Sequence, residues 1–187
     1  MDHAMPEASV TVLLARARAG DAAALDATFV AIYEELKRAA RVQLRRSRDA
    51  VDTTVLVHEA YLKLAGSAPL AAVDRNHLLA LSARAMRQVL VDHARHAQAG
   101  KRGGGEQALT LTANLGAEAA VAVDVLTLEG MLDGLQRIDP RAAQIVELRY
   151  FGGYSEPEIA DMLGISGSTL SRDWRKARAF LFAELSA

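Results

Sequence analysis

A chain of 187 residues with 51% hydrophobic and 24% charged side chains has enough apolar material to bury a core, which excludes a wholly disordered tail. The absence of cysteine excludes a disulfide framework and a thiolate metal cage. The net charge of −1 hides an asymmetry, because residues 1–102 carry 15 basic and 11 acidic side chains while 103–187 carry 7 and 12.

In chain order, nearly every patterned segment has helical period, and an all-α fold is expected. The apolar run from Val10 to Ala15, with Thr11 inside it, ends at Arg16. That is too short for a signal peptide or a membrane span, so a cytoplasmic protein without membrane association is expected. A first helix over Val10 to Ala19 stops at Gly20, and Asp21 caps a second over Ala22 to Arg46 with Leu25, Phe29, Ile32 and Leu36 as its apolar seam. Arg38, Arg41, Arg45 and Arg46 load the end of that helix with the charge sign that suits a helix C-terminus. A third helix spans Thr54 to Leu64, ended by Gly66, Ser67 and Pro69, and a fourth spans Arg75 to Gln98. Four glycines between 100 and 105 mark a flexible linker at 99–125. Beyond it come Leu126 to Ile138 and then a helix that Asp139 caps, with Pro140 at its first position, where proline's missing N–H costs nothing. The expected organisation is thus two small helical domains, 1–98 and 126–187, on either side of the linker 99–125.

The most specific pattern is SEPEIADMLGISGSTLSRDWRKARAFL at 155–181. Ser155 and Glu158 form a capping box, Ala160 lets a second helix approach, Gly164 makes the turn, Ile165 fills the corner and Ser166 caps the next helix. On that helix Leu170, Trp174, Ala177 and Leu181 recur on one face, and Ser168, Arg172, Arg175 and Lys176 lie opposite. This is helix-turn-helix arithmetic, in which a fixed corner leaves the polar face of the second helix free to enter a major groove. Four basic residues (Arg172, Arg175, Lys176, Arg178) with one acid, Asp173, fall in seven positions of an otherwise acidic half. A cationic strip of this kind suits local phosphate contact, or is a solvated helix face. Trp174, on the apolar seam, reads as a core anchor and not as a stacking platform.

LRYFGGYSEPEIADMLGISGSTLSRDWRKARAFL resembles the region-four helix-turn-helix of bacterial sigma factors, which reads the minus-thirty-five promoter element. TTVLVHEAYLKL and LLALSARAMRQVLVDHARHAQAGKRGGG resemble region two of the extracytoplasmic-function (ECF) group, in the subfamily with LVHEAYL and VDHAR signatures. The resemblance covers roughly 10–105 and 126–185. It implies a sigma factor that binds RNA polymerase core, through the largest-subunit clamp and the flap of the second large subunit, and directs promoter-specific initiation. It further implies minus-thirty-five contacts by Ser168, Thr169, Ser171, Arg172, Arg175 and Lys176. Minus-ten contacts fall to Asn76, His77, Arg84, Arg87, Gln88, Asp92, His93 and Arg95, with Lys101 and Arg102 beyond; Asp92 is expected to orient Arg95. The core-polymerase contacts are Leu56, His58, Glu59 and Lys63. Glu59 matches an acidic contact of the family, whereas His58 stands where glutamine is common. Leu56 also shares a face with Ala60 and Leu64 toward the domain's own core.

Asp52-Thr53-Thr54 departs from the acidic run that many ECF proteins place ahead of this helix. The two threonines read either as a helix N-cap or as phosphorylation sites that restore the missing charge. The second reading makes a Ser/Thr kinase the regulator in place of an anti-sigma protein, and the sequence leaves the choice between these two partners open. His93 and His96 share a metal-compatible spacing but lack a third ligand, so no metal and no cofactor is expected. The alternative function is a helix-turn-helix regulator with an N-terminal sensor or dimerisation bundle. An enzyme is disfavoured: GKRGGG has neither Walker spacing nor a preceding strand, and no nucleophile motif or carboxylate pair appears.

Overall fold

The computed structural model describes residues 7–44, 51–66, 74–100, 110–113 and 121–186. Among them the order is α1 (Glu7–Arg18), α2 (Ala22–Leu44), α3 (Thr53–Gly66), α4 (Arg75–Gly100), β1 (Thr110–Ala113), β2 (Val121–Asp124), α5 (Val125–Ile138), α6 (Pro140–Tyr150), α7 (Glu156–Leu163) and α8 (Gly167–Leu185). Arg45, Arg46, Ser67, Pro69, Lys101 and Arg102 lie outside the described residues.

The punctuation of the helices is chemical. Gly20 turns the chain with φ +96°, and the Asp21 carboxylate accepts the Ala24 N–H at 3.1 Å, closing the start of α2. The Asp52 carboxylate accepts the Thr54 N–H at 2.7 Å, so α3 is capped by Asp52 and not by a threonine, and it begins at Thr53 instead of Thr54. Asp124 and Asp139 do the same for α5 and α6 through the Thr127 and Ala142 N–H groups at 3.1 and 3.0 Å. Gly152 precedes the turn into α7 because a Cβ there would come within 2.5 Å of the Tyr154 ring.

The first half packs Val10 and Leu14 of α1, Ile32 and Leu36 of α2, and Leu56, Val57 and Ala60 of α3 around Leu79, Met86 and Leu90 of α4. The second packs Leu128, Leu132, Ile145, Val146, Ile159 and the α8 seam Leu170, Trp174, Ala177 and Leu181. Burial of this kind contributes roughly 1.5–3 kcal/mol per large apolar side chain. The halves also touch, since α4 packs against α5, α6 and α7.

The linker reading needs one correction. Two segments inside 99–125 pair as an antiparallel ribbon, Thr110 opposite Asp124 and Leu111 opposite Val123, directly ahead of α5. Each strand has four residues, too few for an alternating pattern to emerge, and the Thr and Val content supplies the strand preference instead. The glycine cluster at 103–105 lies outside the described residues. Apart from this ribbon, the described chain is all-α.

Candidate nucleic-acid and polymerase interface

The α7–α8 corner is built as its sequence demands. The Ser155 N–H and hydroxyl donate to Glu158 at 2.8 and 2.6 Å, Gly164 closes α7 with φ +61°, and the Ser166 hydroxyl oxygen accepts the Thr169 N–H at 3.2 Å. Burial pushes the Glu158 carboxyl up, but the Ser155 hydrogen bonds and Arg38 outweigh it and hold the group below the usual glutamate range. With its seam buried, α8 presents Ser168, Ser171, Arg172, Arg175 and Lys176 to solvent, and Thr169 is half-buried at the cap.

Asp173, read from the sequence only as the single acid of the strip, is 0% exposed and sits at the hub of this face. Arg141 of α6 reaches one of its oxygens at 2.7 and 2.6 Å. The other oxygen faces Arg172 at 3.6 Å and Lys176 at 3.8 Å. One buried carboxylate thus ties α8 to α6 and draws two cations of the polar face toward it. A charge so deeply buried requires such pairing.

Beside it, Arg149, Ser171, Trp174, Arg175, Arg178 and Glu156 line a surface cavity of about 340 Å³. The Arg149 and Arg178 guanidinium groups lie 4.6 and 5.9 Å from the centre of the Trp174 ring, and Arg149 pairs with Glu156 at 2.9 Å. Trp174 is buried, as a core anchor should be. Arg149, which sequence reasoning did not single out, reaches this cavity from the end of α6, ahead of the 155–181 pattern. Arg178, the last cation of the strip read from the sequence, is half-buried beside the seam.

On the first half, Leu56 is fully buried, which corrects its assignment to the polymerase-facing set: it faces the α1–α4 core. His58 and Lys63 are exposed and Glu59 is half-buried. Glu59 and Lys63 are tied to α4, with Glu59 meeting His93 at 2.9 Å and Lys63 meeting Asp92 at 2.8 Å. Asp92 lies 4.0 Å from Arg95, so Lys63 and not Arg95 is its nearer partner, and the Lys63 hydrogen bond holds its carboxyl below the usual aspartate range. His96 meets the Asp92 carbonyl at 2.8 Å, leaving the two histidines on separate partners, and no group of three or more metal-ligating side chains occurs among the described residues.

Of the other α4 residues, Arg84, Gln88 and Arg95 are exposed, while Asn76 and His77 are half-buried at the helix start, where the His77 N–H donates to Asp74 at 2.8 Å. Arg87 differs. It is only 15% exposed and meets Glu129 at 2.7 Å, Glu147 at 3.2 Å and Asp133 at 3.3 Å.

The family described as ECF sigma factor matches residues 7–187. The chain belongs to the ECF sigma factor family. Among solved structures it is similar to CnrH in complex with the cytosolic domain of CnrY, with 20% identity, 95% of this chain and 97% of that one covered, and a TM-score of 0.43. No curated protein matches. As an ECF sigma factor the chain binds RNA polymerase core and promoter DNA and directs promoter-specific transcription initiation. No described helix is long and apolar enough to cross a membrane.

Proposed function

We propose that this ECF sigma factor divides promoter recognition between its halves: residues 1–98 bind core polymerase and hold the melted minus-ten element, and 126–187 read the minus-thirty-five element. The observation that carries the reading is the α8 face, where a basic and hydroxyl-bearing surface stands over a fully buried seam. Arg172 and Arg175 read guanine edges, Lys176 neutralises phosphate, and Ser168, Thr169 and Ser171 contact the backbone near the helix start. The arginine cavity beside them takes a flanking phosphate, for which a forked guanidinium is well shaped. On α4, Arg84, Gln88, His93 and Arg95, with Asn76 and His77, hold the unpaired strand, and cationic planes serve where aromatic platforms are lacking. His58, Glu59 and Lys63 face the clamp of the largest polymerase subunit, and the second half meets the flap of the other large subunit.

The protein acts in the cytoplasm and performs no catalysis itself; an anti-sigma protein or a Ser/Thr kinase acting on Thr53 or Thr54 sets its activity. Run-off transcription with core polymerase on a genomic fragment library tests the reading. Opened promoters should share two spaced elements, and Arg172→Ala should shift which promoters open. Core that initiates no promoter-specific transcript with this protein would refute it.

A further inference from the structure

The four cations of the 172–178 stretch are not equivalent. Arg172 and Lys176 face the buried Asp173 carboxylate at 3.6 and 3.8 Å, so their charge is partly answered within the protein. Arg175 and Arg178 lie one turn apart on α8, and no ion pair among the described residues engages either of them. Both line the cavity beside Trp174, together with Arg149 from the end of α6, Glu156 from the start of α7 and Ser171. Arg178 is half-buried there, and its Nε is enclosed without a hydrogen-bond acceptor, a donor that the protein's own oxygens leave unmet. Arg149 is held 4.6 Å from the centre of the indole ring and is anchored to Glu156 at 2.9 Å, so the guanidinium groups stand preorganised over a buried base.

Charge and size select the ligand. Three guanidinium groups against the single carboxylate of Glu156 leave the lining with a formal charge of +2. A backbone phosphodiester brings one negative charge, whereas a terminal phosphomonoester brings about −1.5 to −2 at pH 7 and three acceptor oxygens. The monoester dianion is the better match, and forked guanidinium groups suit its oxygens. The volume of about 340 Å³ falls at the lower end of small-ligand sites, roughly 300–1,000 Å³, and leaves room beside one phosphate group for the organic part of a small molecule.

We propose that this cavity binds the terminal phosphate of a free phosphomonoester, and that its occupation competes with promoter DNA for Arg175. The second part rests on the reading of α8 as the minus-thirty-five helix, since Arg175 cannot serve a ligand and a guanine edge at once. A backbone phosphate takes the same cavity in the promoter complex. The two occupants therefore exclude each other, and the concentration of a phosphorylated small molecule sets the fraction of sigma factor free to read the element.

Trp174 is the only tryptophan of the chain and lines the cavity, so its fluorescence reports occupation directly. Glycerol 3-phosphate and dimethyl phosphate, titrated into the full-length protein at constant ionic strength, supply the monoester and diester arms. Glycerol 3-phosphate should give a saturable change, and dimethyl phosphate should bind about tenfold more weakly. Arg175→Gln, at an exposed position where folding is not at risk, should weaken glycerol 3-phosphate about tenfold, and Arg178→Lys, which keeps the charge but loses the fork, should do the same. Run-off transcription from a promoter opened by this holoenzyme should fall as glycerol 3-phosphate is added but not with dimethyl phosphate, while the same core with another sigma factor is unaffected. No saturable response, or an equal response from dimethyl phosphate or in Arg175→Gln, overturns the ligand site and leaves the cavity to the DNA backbone alone. Ligand binding without any loss of transcription overturns the competition. In that case Arg175→Ala separates the two ideas: altered promoter choice leaves the reading of α8 standing without the ligand's control, and unchanged promoter choice removes both.

Discussion

Arg141 and Asp173 form an ion pair across the α6–α8 contact, with the guanidinium Nε and Nη2 at 2.7 and 2.6 Å from one buried carboxylate oxygen. The pair fixes the rotation of α8 about its own axis, and therefore the direction in which Arg172 and Lys176 project. Arg141→Ala leaves Asp173 buried beside only its two longer contacts. Removing one partner of a buried pair costs about 3–5 kcal/mol, and because Arg141 is itself half-exposed the expected loss is nearer 2 kcal/mol. Thermal unfolding followed by circular dichroism should show a lowered Tm with helical content retained; an unchanged Tm would mean that the carboxylate is satisfied without Arg141.

The polar face of α8 should sort into two kinds of substitution. Arg172→Ala or Arg175→Ala should relax discrimination at particular minus-thirty-five positions by about 1–3 kcal/mol each. Lys176→Ala, Arg149→Ala and Arg178→Ala should weaken all promoters to similar extents and reduce the salt slope of binding by about one each. Holoenzyme binding to a panel of promoter variants at several salt concentrations reads both, and a single pattern shared by all five substitutions would contradict the division.

Glu147 should make the contact between halves pH-dependent in an unexpected direction. Burial raises its carboxyl above the usual glutamate range, against the opposing pull of Arg87 and Arg84 from α4 and with the support of Glu129 from α5. A raised value in the packed form means that the packed form takes up the proton more readily. Its contribution is full below the unfolded glutamate value and is lost as pH rises through the packed-state value. Mild acid should therefore favour the packed form of the wild type, read as a smaller fall in Tm with decreasing pH than Glu147→Gln shows. A response of equal size in both proteins would assign it to another group.

Asp52, and not a threonine, caps α3, and its carboxylate engages both the Thr54 N–H and the Thr54 hydroxyl. Thr54→Ala should leave the Tm nearly unchanged, whereas Asp52→Ala should lower it, since the Thr54 N–H then loses its acceptor. Phosphorylation at Thr53 or Thr54 adds about −1.5 to −2 charges at a helix N-terminus. Two resulting charge-assisted hydrogen bonds at about 1.5 kcal/mol each would raise core-polymerase affinity by roughly two decades. Binding of phosphorylated and unmodified chain to purified core decides this, and equal affinities reduce the threonines to ordinary first-turn residues.

Local chemistry was legible in the sequence wherever a few adjacent residues decide it. The Ser155–Glu158 box, the Gly164 turn, the Ser166 cap and the α8 seam all stand where spacing placed them, because each depends on contacts within one or two helical turns. Family membership was legible for the same reason, being carried by short contiguous motifs. The four-residue strands of the ribbon were not, since pairing between Thr110–Ala113 and Val121–Asp124 is decided across a gap and not within either segment. Leu56 was assigned two faces by its pattern, and only the packing of α1–α4 put it inside. Asp173 and Arg87 show the limit most clearly. Each reads in sequence as a surface charge, yet Asp173 is fully buried and Arg87 only 15% exposed, because partners 32 and 42 to 60 positions away, Arg141 for one and Glu129 to Glu147 for the other, supply the opposite charge. Periodicity reports which face of a helix is apolar; only tertiary structure decides which charged side chains are drawn beneath that surface, since a buried charge is tolerated solely where the fold brings its counter-charge within contact.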